Sequence, residues 1–586
     1  MTETASRPLS ARVRRGALWN VATTLILKLV NILITAVVAR ILDPQDFGVF
    51  AVAATAFVIV AAIGEFGVAA CLIRADLDID AIAPTMVTVS LATSTALAGA
   101  MVAFATPIAA ALGSAQAANP VKVMALPVII SGLTAVPAAQ LTRDFKQDKL
   151  FLANAISIVP STALLLLLAK SGSGAMAFAW SRALGNFVAG GMTFVYARKI
   201  YLPGLTRSAM SLLVRFGLPL AGAQFVNYIL LNVDYAAVGH LLGPVALGTY
   251  VLAFNVASWP SSLLGTMINN VAMPAFSRVR HNADLLRDSI VNSLRALALV
   301  VVPMCGAIIV LARPLVLTLY GAKWAASAST LSYLSLYSAI SIACLLFANV
   351  LSSMGNAKVL LLIQLVWLAE LVPAMALGVR RDGIIGAAFA HIVIIAPVVL
   401  PCYLLAMKRA TGIQFNTLMK AVLPALLASS IAALSTRVVI ARFSSPLAQL
   451  ITGISIFGLV YAVAVAPQVI RLLNREQITN RRVERILHLY DIVTRSAGER
   501  ISGNLEHVAE SGRGGVQQMP ENATLDHVSE IMADVAPRQY SVRARVSPPN
   551  QPSYDLNGRW RPPVSWKDLL EENNGRDTQA GSAEVN

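Results

Sequence analysis

The chain repeats one stretch at an interval of 200 residues: Ile41-Leu42-Asp43-Pro44-Gln45-Asp46-Phe47-Gly48-Val49-Phe50-Ala51-Val52-Ala53 returns as Leu241-Leu242-Gly243-Pro244-Val245-Ala246-Leu247-Gly248-Thr249-Tyr250-Val251-Leu252-Ala253. The copies keep Leu, Pro, Gly, aromatic and Ala residues in register, and each joins two long apolar runs. A tight Pro/Gly turn between paired helices was therefore duplicated together with its surroundings. The pattern predicts two similar lobes.

The composition indicates a membrane protein. Of the 586 residues, 56% are hydrophobic and 13% are charged, and the mean hydropathy is +0.68. Apolar runs near 20 residues recur throughout, which is more apolar surface than one soluble core can bury. Internal repeats in such a chain are typical of transporters that hold substrate where the lobes meet.

The apolar runs predict an all-α integral membrane protein with about 14 spans. Its fold class is two pseudo-symmetric six-helix lobes plus two extra C-terminal helices. The predicted divisions are a cytoplasmic segment at 1–16, an N-lobe at 17–200 (spans 1–6), a C-lobe at 201–409 (spans 7–12), spans 13–14 at 410–470, a basic amphipathic helix at 471–500 and a disordered cytoplasmic tail at 501–586.

Charge predicts the orientation. The formal net charge is +16, and residues 1–470 hold 31 of the 46 basic residues but only 14 of the 30 acidic ones. With the N-terminus inside, the inward loops carry 20 Lys and Arg against 9 outside, which favours both termini in the cytoplasm. Six spans separate the repeated turns, so both lobes enter the membrane in the same sense.

Signatures of other protein classes are missing from the sequence. It has no P-loop, no His-Glu-x-x-His and no recognisable nucleophile arrangement, and its four cysteines lack metal-ligand spacing. Gly172-Ser173-Gly174-Ala175-Met176-Ala177 fits a loose dinucleotide pattern, but it lies between two predicted spans and is interpreted as a turn. We expect no enzyme activity, no cofactor, no metal and no nucleic-acid partner.

Polar residues in the predicted spans are candidates for function because they are costly in hydrocarbon. In span 1, one helical stripe carries Asn20, Thr24, Lys28, Asn31 and Thr35. In span 7, at the matching phase of the repeat, a second stripe carries Gln224, Asn227 and Asp234. For the amides and hydroxyls, hydrogen bonding to neighbouring helices explains their presence as well as a functional role does. For Lys28 and Asp234 the depth of the charge favours function.

Other span residues carry predictions with stated alternatives. Arg182, one turn before Asn186, is a candidate substrate ligand. Arg40 and His240 occupy equivalent positions in the repeat, at the outer ends of spans 1 and 7. They would either form a positively charged entrance to the cavity or anchor these helices at the membrane–water interface. The further candidates for proton or cation coupling, against structural pairing, are Glu65, Glu370 and His391.

Several longer motifs resemble the polysaccharide flippases of the multidrug/oligosaccharidyl-lipid/polysaccharide (MOP) superfamily. They are Arg215-Phe216-Gly217-Leu218-Pro219-Leu220, Asn232-Val233-Asp234-Tyr235-Ala236-Ala237-Val238-Gly239, Gly243-Pro244-Val245-Ala246-Leu247-Gly248-Thr249-Tyr250, Pro274-Ala275-Phe276-Ser277-Arg278, Tyr320-Gly321-Ala322-Lys323-Trp324 and Gly383-Ile384-Ile385-Gly386-Ala387-Ala388-Phe389-Ala390. Each motif is diffuse, and their order and spacing over about residues 15–410 carry the resemblance.

The resemblance implies a multi-pass protein of the bacterial cell inner membrane that flips polyprenyl-diphosphate-linked oligosaccharides outward. It implies alternating access, coupled to a proton or cation gradient. The predicted substrate-binding residues are Lys28, Asn31, Arg40, Arg182, Gln224 and Asn227, and the predicted coupling residues are Asp234, Glu65 and Glu370. Membrane lipids are expected partners, and the tail is a candidate contact for polysaccharide polymerase or export machinery.

Three rival functions stay open on the sequence. A cation-coupled multidrug or metabolite antiporter of the same superfamily also has two six-span lobes, but the cationic set of buried groups and the two extra spans favour the glycolipid. A polysaccharide polymerase or ligase is also a many-spanning protein, but the resemblance would then be to chains with a large outward loop. No predicted outward loop of this chain exceeds about a dozen residues. A scaffold that recruits partners through the tail is the third alternative.

Overall fold

The structure is a computed structural model that describes residues 28, 30–64, 68–73, 79–144, 146–197, 199–217, 228–268, 276 and 282–468. All its elements are helical, as the composition predicts, and ten continuous helical stretches of this part of the chain are long and apolar enough to cross a membrane. The polar stripe residues Asn20 and Thr24 and everything beyond residue 468, including the predicted amphipathic helix and tail, lie outside the described residues.

The helices follow one another with short connections. Their bounds are α1 Val30–Ile41, α2 Pro44–Gly64, α3 Val68–Ile73, α4 Ile79–Ala103, α5 Ala105–Ala111, α6 Ala118–Arg143, α7 Gln147–Lys170, α8 Ala175–Tyr196, α9 Arg207–Leu212, α10 Val233–Ala257, α11 Trp259–Met267, α12 Ala283–Leu319, α13 Ser327–Ser353, α14 Ala357–Ile394, α15 Leu400–Thr411, α16 Phe415–Ile440 and α17 Pro446–Gln468.

The run α10 is a hairpin rather than one straight helix. Gly243 has a φ of 80° and a ψ of −177°, a conformation that L side chains rarely adopt, and Pro244 starts the second arm. The Tyr250 hydroxyl donates to the Asp234 carboxylate at 3.0 Å. Sixteen positions of a straight helix would separate these residues by about 24 Å. The chain therefore reverses inside the second copy of the repeated stretch.

The run α14 reverses in the same way. Gly383 has a φ of 59° and a ψ of −135°, and the preceding Asp382 is also non-helical. A Cβ placed on Gly386 would lie 1.9 Å from the carbonyl oxygen of Gly378, so the two arms pack backbone against backbone. This turn repeats the one before α8, where Gly174 has a φ of 51° and a ψ of −132°. A second turn was therefore duplicated along with the first.

Two helices differ from the apolar runs that predict them. The sequence predicts one span over 81–112, whereas the structure has α4 and α5 with a break at Phe104, which has a φ of −102° and a ψ of 19°. The sequence predicts a span over 290–317, whereas α12 covers Ala283–Leu319. Its start is polar and is set by Asn282, whose side chain accepts from the Leu285 N–H at 3.1 Å. Hydropathy cannot detect a helix end of that kind.

The two copies of the repeated stretch pack against each other. We call the described residues up to 197 the N-lobe, those from 228 to 411 the C-lobe, and the end that carries residues 41–44 and 241–244 the turn end. A Cβ on Gly48 would lie 1.7 Å from the Pro244 carbonyl oxygen, and a Cβ on Gly248 would lie 1.9 Å from the Pro44 carbonyl oxygen. The contacts are reciprocal, as a pseudo-twofold relation between the lobes requires.

Hydrophobic packing joins the lobes at the turn end. The largest buried cluster takes side chains from both lobes, including Val52, Leu252 and Trp324. A second cluster belongs to residues 268–418 and a third to residues 68–213. The lobes thus share a core near the repeated turns and have separate cores elsewhere.

Candidate functional site

A cavity of about 330 Å³ lies between the two lobes. Its wall combines residues of α1, α2, α7 and α8 with residue 232 and both arms of α10. Most of these residues are apolar, and the polar ones are Thr35, Thr55, Arg182, Asn232, Tyr235 and Asn255. The volume falls within the range of about 300–1,000 Å³ common for small-molecule sites.

Arg182 is the one charged residue among the described residues that line this cavity. It lies on α8, and its Cζ is 5.2 Å from the centre of the Phe57 ring, within the range of a cation–π contact. In the described part of the chain its guanidinium has no carboxylate partner and no hydrogen-bond acceptor. A cation without a countercharge in a mostly apolar cavity favours an anionic ligand.

The polar stripe of span 1 leads into the same cavity. Thr35 lines the cavity, and its hydroxyl donates to the Asn31 carbonyl oxygen at 2.8 Å. Lys28 is half-buried and precedes Thr35 by seven residues. Seven residues are two helical turns, so Lys28 falls on the same face about 10 Å further from the turn end. Lys28 and Arg182 are therefore candidates for successive contacts with one anion.

A second group of polar residues is buried in the C-lobe. Asp234 and His391 are 2% and 3% exposed, and Nε2 of His391 lies 3.5 Å from Oδ2 of Asp234. The Asp234 carboxylate accepts from the Tyr250 hydroxyl at 3.0 Å and from the backbone N–H of Tyr235 at 2.9 Å. The His391 ring packs on Tyr337 with 4.5 Å between centroids.

The contacts of His391 and Asp234 place an imidazole beside a buried carboxylate. Neither ring nitrogen of His391 has a hydrogen-bond partner among the described residues. The Asp234 carboxylate accepts from one hydroxyl and one N–H, and the imidazole lies at ion-pair distance from it. The side chains of Tyr235, Tyr250 and Tyr337 surround the pair.

Arg40 and His240 each bridge the two lobes at the turn end. The Arg40 guanidinium donates to the carbonyl oxygens of Thr318 and, at 3.0 Å, of Leu319. Nδ1 of His240 lies 2.9 Å from the carbonyl oxygen of Ala111. The two repeat-equivalent residues thus make equivalent contacts in opposite directions. In this state Arg40 is engaged between the lobes and is not among the residues that line the cavity.

The segment between α12 and α13 adds contacts at the same end. Nζ of Lys323 donates to the Leu42 carbonyl oxygen at 2.7 Å and to Oδ1 of Asp43 at 3.0 Å. The fully buried Trp324 donates from Nε1 to the Ala39 carbonyl oxygen at 2.8 Å. These contacts hold the turn end closed.

Four predicted site residues do not belong to these groups in the described part of the chain. Gln224, Asn227 and Glu65 lie outside the described residues. Glu370 is exposed on α14 and lines neither the cavity between the lobes nor the contact of Asp234 with His391.

Sequence reasoning missed several residues of these sites, among them Phe57, Asn232, Tyr250 and Asn255. It also missed that Arg182 and His391 are repeat equivalents, each eight residues after a duplicated glycine turn. Alignment of Gly174 with Gly383 would have revealed that equivalence. No sequence signal marked Phe57, because an aromatic residue in an apolar run predicts packing only.

The fold is that of a two-lobed helical membrane transporter. The structure of the lipid II flippase MurJ in an inward closed conformation is similar with a TM-score of 0.62 and 14% sequence identity, over 76% of this chain and 100% of that chain. An inward-facing multidrug resistance MATE family transporter of the MOP superfamily is similar with a TM-score of 0.52 and 16% identity, over 65% of this chain and 94% of that chain.

Sequence comparison defines the family. A profile described as polysaccharide biosynthesis protein matches residues 37–329, and the chain belongs to this family. The succinoglycan biosynthesis transport protein ExoT of Rhizobium meliloti (strain 1021) is 26% identical over 77% of this chain and 92% of its own length. The lipopolysaccharide biosynthesis protein WzxC of Escherichia coli (strain K12) is 25% identical over 53% of this chain and 63% of its own length.

Proposed function

We propose that this protein is a flippase that moves polyprenyl-diphosphate-linked oligosaccharides from the cytoplasmic to the outer leaflet of a bacterial inner membrane. The cargo would be the repeat unit of a cell-surface polysaccharide or exopolysaccharide. Family membership and the names of the relatives support the proposal. The observation that carries it is the guanidinium of Arg182 in a cavity between the lobes, where no described residue forms an ion pair with it.

The electrostatic argument concerns the diphosphate. Moving its charge out of water costs free energy unless a cation compensates. Two unit charges 4 Å apart attract by about 4 kcal/mol at an effective dielectric constant near 20, against about 1 kcal/mol in water. Arg182 supplies such a contact, and Lys28 supplies an earlier one on the same path. Asn31 and the predicted Gln224 and Asn227 would meet sugar hydroxyls or phosphate oxygens.

Alternating access follows from the distribution of contacts between the lobes. We infer fourteen spans: the ten apolar stretches contain two hairpins, which makes twelve, α8 adds a further helix of span length, and α1 is the described part of predicted span 1. With both termini in the cytoplasm, the turn end faces outward, and the shared core closes the cavity on that side. Substrate would enter from the cytoplasmic half. Opening of the turn end would release Arg40 to receive the anionic head at the outer mouth.

Asp234 and His391 are our candidates for the coupling site. A proton or cation bound there neutralises a buried carboxylate beside the α10 hairpin, which also lines the substrate cavity. Binding therefore changes the charge of an element that both lobes contact, and it would bias the conformational equilibrium. An Asp234→Asn variant that transports at the wild-type rate, with an unchanged response to pH and sodium, would remove this role. Glu65→Gln and Glu370→Gln test the other two predicted coupling residues in the same assay.

Export measurements test the substrate role of Arg182. Each variant is expressed at the same level in a bacterial host that lacks its own flippase and therefore accumulates lipid-linked oligosaccharide. The polysaccharide that reaches the surface of the host is then quantified. Loss of one desolvated charge contact of about 1.5–3 kcal/mol predicts a fall of about ten- to a hundredfold in transport for Arg182→Ala. Arg182→Lys should recover part of it, and the exposed Arg437→Ala is the matched control.

The outcomes discriminate between the functions. Full export by Arg182→Ala would refute the anion site. Export of a cationic drug, with no effect on polysaccharide, would favour the rival antiporter, although an unpaired guanidinium repels such a substrate. Lys28→Ala and Lys28→Arg extend the test, and full export by both would exclude Lys28 as a ligand.

We further propose that residues 471–500 form a basic amphipathic helix on the inner leaflet, and that the tail at 501–586 contacts polysaccharide polymerase or export machinery. Loss of the tail should leave flipping in isolated membranes unchanged and lower the yield of finished polysaccharide. An unchanged yield would contradict the docking role.

A further inference from the structure

A second cavity of about 330 Å³ lies inside the C-lobe. The same two stretches of chain separate it from the cavity between the lobes. Leu231 and Phe254 line this second cavity, whereas their sequence neighbours Asn232 and Asn255 line the cavity between the lobes. Residues of α13, α14 and α15 complete its wall. We call this inner cavity the C-lobe chamber. It adjoins the proposed anion site and is built from different side chains.

The chamber is neutral, aromatic and rich in hydroxyls. Of the described residues that line it, none is acidic, basic or a histidine. Four are aromatic, including Tyr337 and Trp367, which project from α13 and α14. Five more carry neutral polar groups, namely Ser258, Ser261, Ser338, Ser341 and Gln364. The Arg182 cavity also has neutral polar residues in its wall, but it differs from the chamber in carrying a charged one.

Several of these polar groups have no hydrogen-bond partner in the part of the chain that the structure describes. Nε1 of Trp367 is buried without a hydrogen-bond acceptor. The Gln364 amide and the hydroxyls of Tyr337 and Tyr403 also have no hydrogen-bond partner within the described residues. A buried donor or acceptor left unpaired costs about 1–3 kcal/mol. The chamber therefore presents hydrogen-bonding groups that a ligand can satisfy.

We propose that the C-lobe chamber binds an uncharged sugar ring of the transported glycolipid. An ion would find no countercharge there, and a hydrocarbon chain would leave the polar groups unpaired. A neutral hexose offers hydroxyls around its rim for the Gln364 amide and the Tyr403 hydroxyl, and C–H faces that pack on the aromatic rings of Tyr337 and Trp367. The inference rests on the proposed function: Arg182 holds the anionic head while the chamber recognises sugar.

Two kinds of probe separate the sites. The purified full-length protein in lipid nanodiscs is titrated calorimetrically with farnesyl diphosphate, which has no sugar, and with farnesyl-diphosphate-linked glucose, galactose and N-acetylglucosamine. We expect the wild type to bind at least one sugar-bearing probe more tightly than farnesyl diphosphate. Gln364→Leu keeps the bulk but removes the amide, and Trp367→Phe reduces the aromatic surface; each should weaken that probe by about five- to tenfold. Their affinity for farnesyl diphosphate should stay unchanged, which also shows that the variants fold.

Two further variants complete the design. Trp180→Phe, at an exposed tryptophan of α8, is the matched control and should change neither affinity. Arg182→Ala should weaken all probes alike. The chamber inference is overturned if no sugar-bearing probe binds the wild type more tightly than farnesyl diphosphate. It is also overturned if Gln364→Leu and Trp367→Phe bind the sugar-bearing probe as tightly as the wild type does, or if their affinity for both kinds of probe falls equally. Unchanged farnesyl diphosphate binding by Arg182→Ala would refute the proposed function instead.

Discussion

Replacing Gly248 by Ala is expected to separate the lobes at the turn end. The added Cβ would lie 1.9 Å from the Pro44 carbonyl oxygen and 2.8 Å from the backbone nitrogen of Gly48. Both are backbone atoms, so neither can rotate aside as a flexible side chain would. Ordinary contact begins at 3.4 Å, and the helices must therefore move apart by about 1.5 Å.

The cost of this movement exceeds the intrinsic gain from alanine. Overpacking at a close contact costs about 1–3 kcal/mol, and a gap of 0.5–1 Å forfeits a quarter to a half of each dispersion contact around it. Alanine in a helix gains roughly 0.5–1 kcal/mol relative to glycine, but this gain is the same in the closed and the open state and does not offset the contact. A cost of about 1–3 kcal/mol against closure lowers the ratio of closed to open states about five- to 150-fold.

Spin labels measure the opening directly. Gln45 and Val245 are exposed equivalents on the two repeated turns and accept labels on cysteines in a background with the four native cysteines replaced. Double electron–electron resonance should show a longer turn-end distance for Gly248→Ala. Gly99→Ala is the control, because no atom lies within 4 Å of a Cβ there. An unchanged distance distribution for Gly248→Ala would refute the argument that backbone contact controls closure.

Two further predictions concern stability, measured by thermal unfolding in nanodiscs. Tyr250→Phe removes the hydroxyl that donates to the buried Asp234 carboxylate and should lower the free energy of unfolding by about 1.5–3 kcal/mol. Tyr333→Phe, at an exposed tyrosine, is the control and should be neutral. Equal losses in the two variants would show that the hydrogen bond contributes nothing to stability. Gly383→Ala places a side chain at a φ of 59° and should lower the free energy of unfolding by about 1–3 kcal/mol. Gly191→Ala is the control and should cause no loss, because this glycine is helical and a Cβ there has no atom within 4 Å. A Gly383→Ala protein of unchanged stability would contradict the duplicated-turn interpretation.

Much of the fold was predictable because a membrane allows few backbone solutions. Every spanning segment must satisfy its own hydrogen bonds, so long apolar runs become helices. Gly243 and Gly383 mark reversals, because glycine tolerates a positive φ that other residues avoid. The polar start of α12 was not predictable from hydropathy, since Asn282 sets it by capping.

The candidate site was predictable only residue by residue. Arg182 attracts attention in the sequence because a charge in an apolar run needs a reason. That no carboxylate pairs with it among the described residues depends on what surrounds the guanidinium in space. The approach of His391 to Asp234 joins residues 157 positions apart, and no local pattern encodes that distance.

The amino-acid sequence by itself determined that this is a helical membrane protein with a duplicated architecture, because hydropathy, turn glycines and repeated motifs act locally along the chain. Only the tertiary structure decided which faces of those helices meet. It packed the turn end together through Gly48 and Gly248, placed Arg182 where no described residue supplies a countercharge, and formed a second cavity lined by uncharged residues beside it. Long-range packing makes those choices, since each depends on the shape of segments far away in the chain.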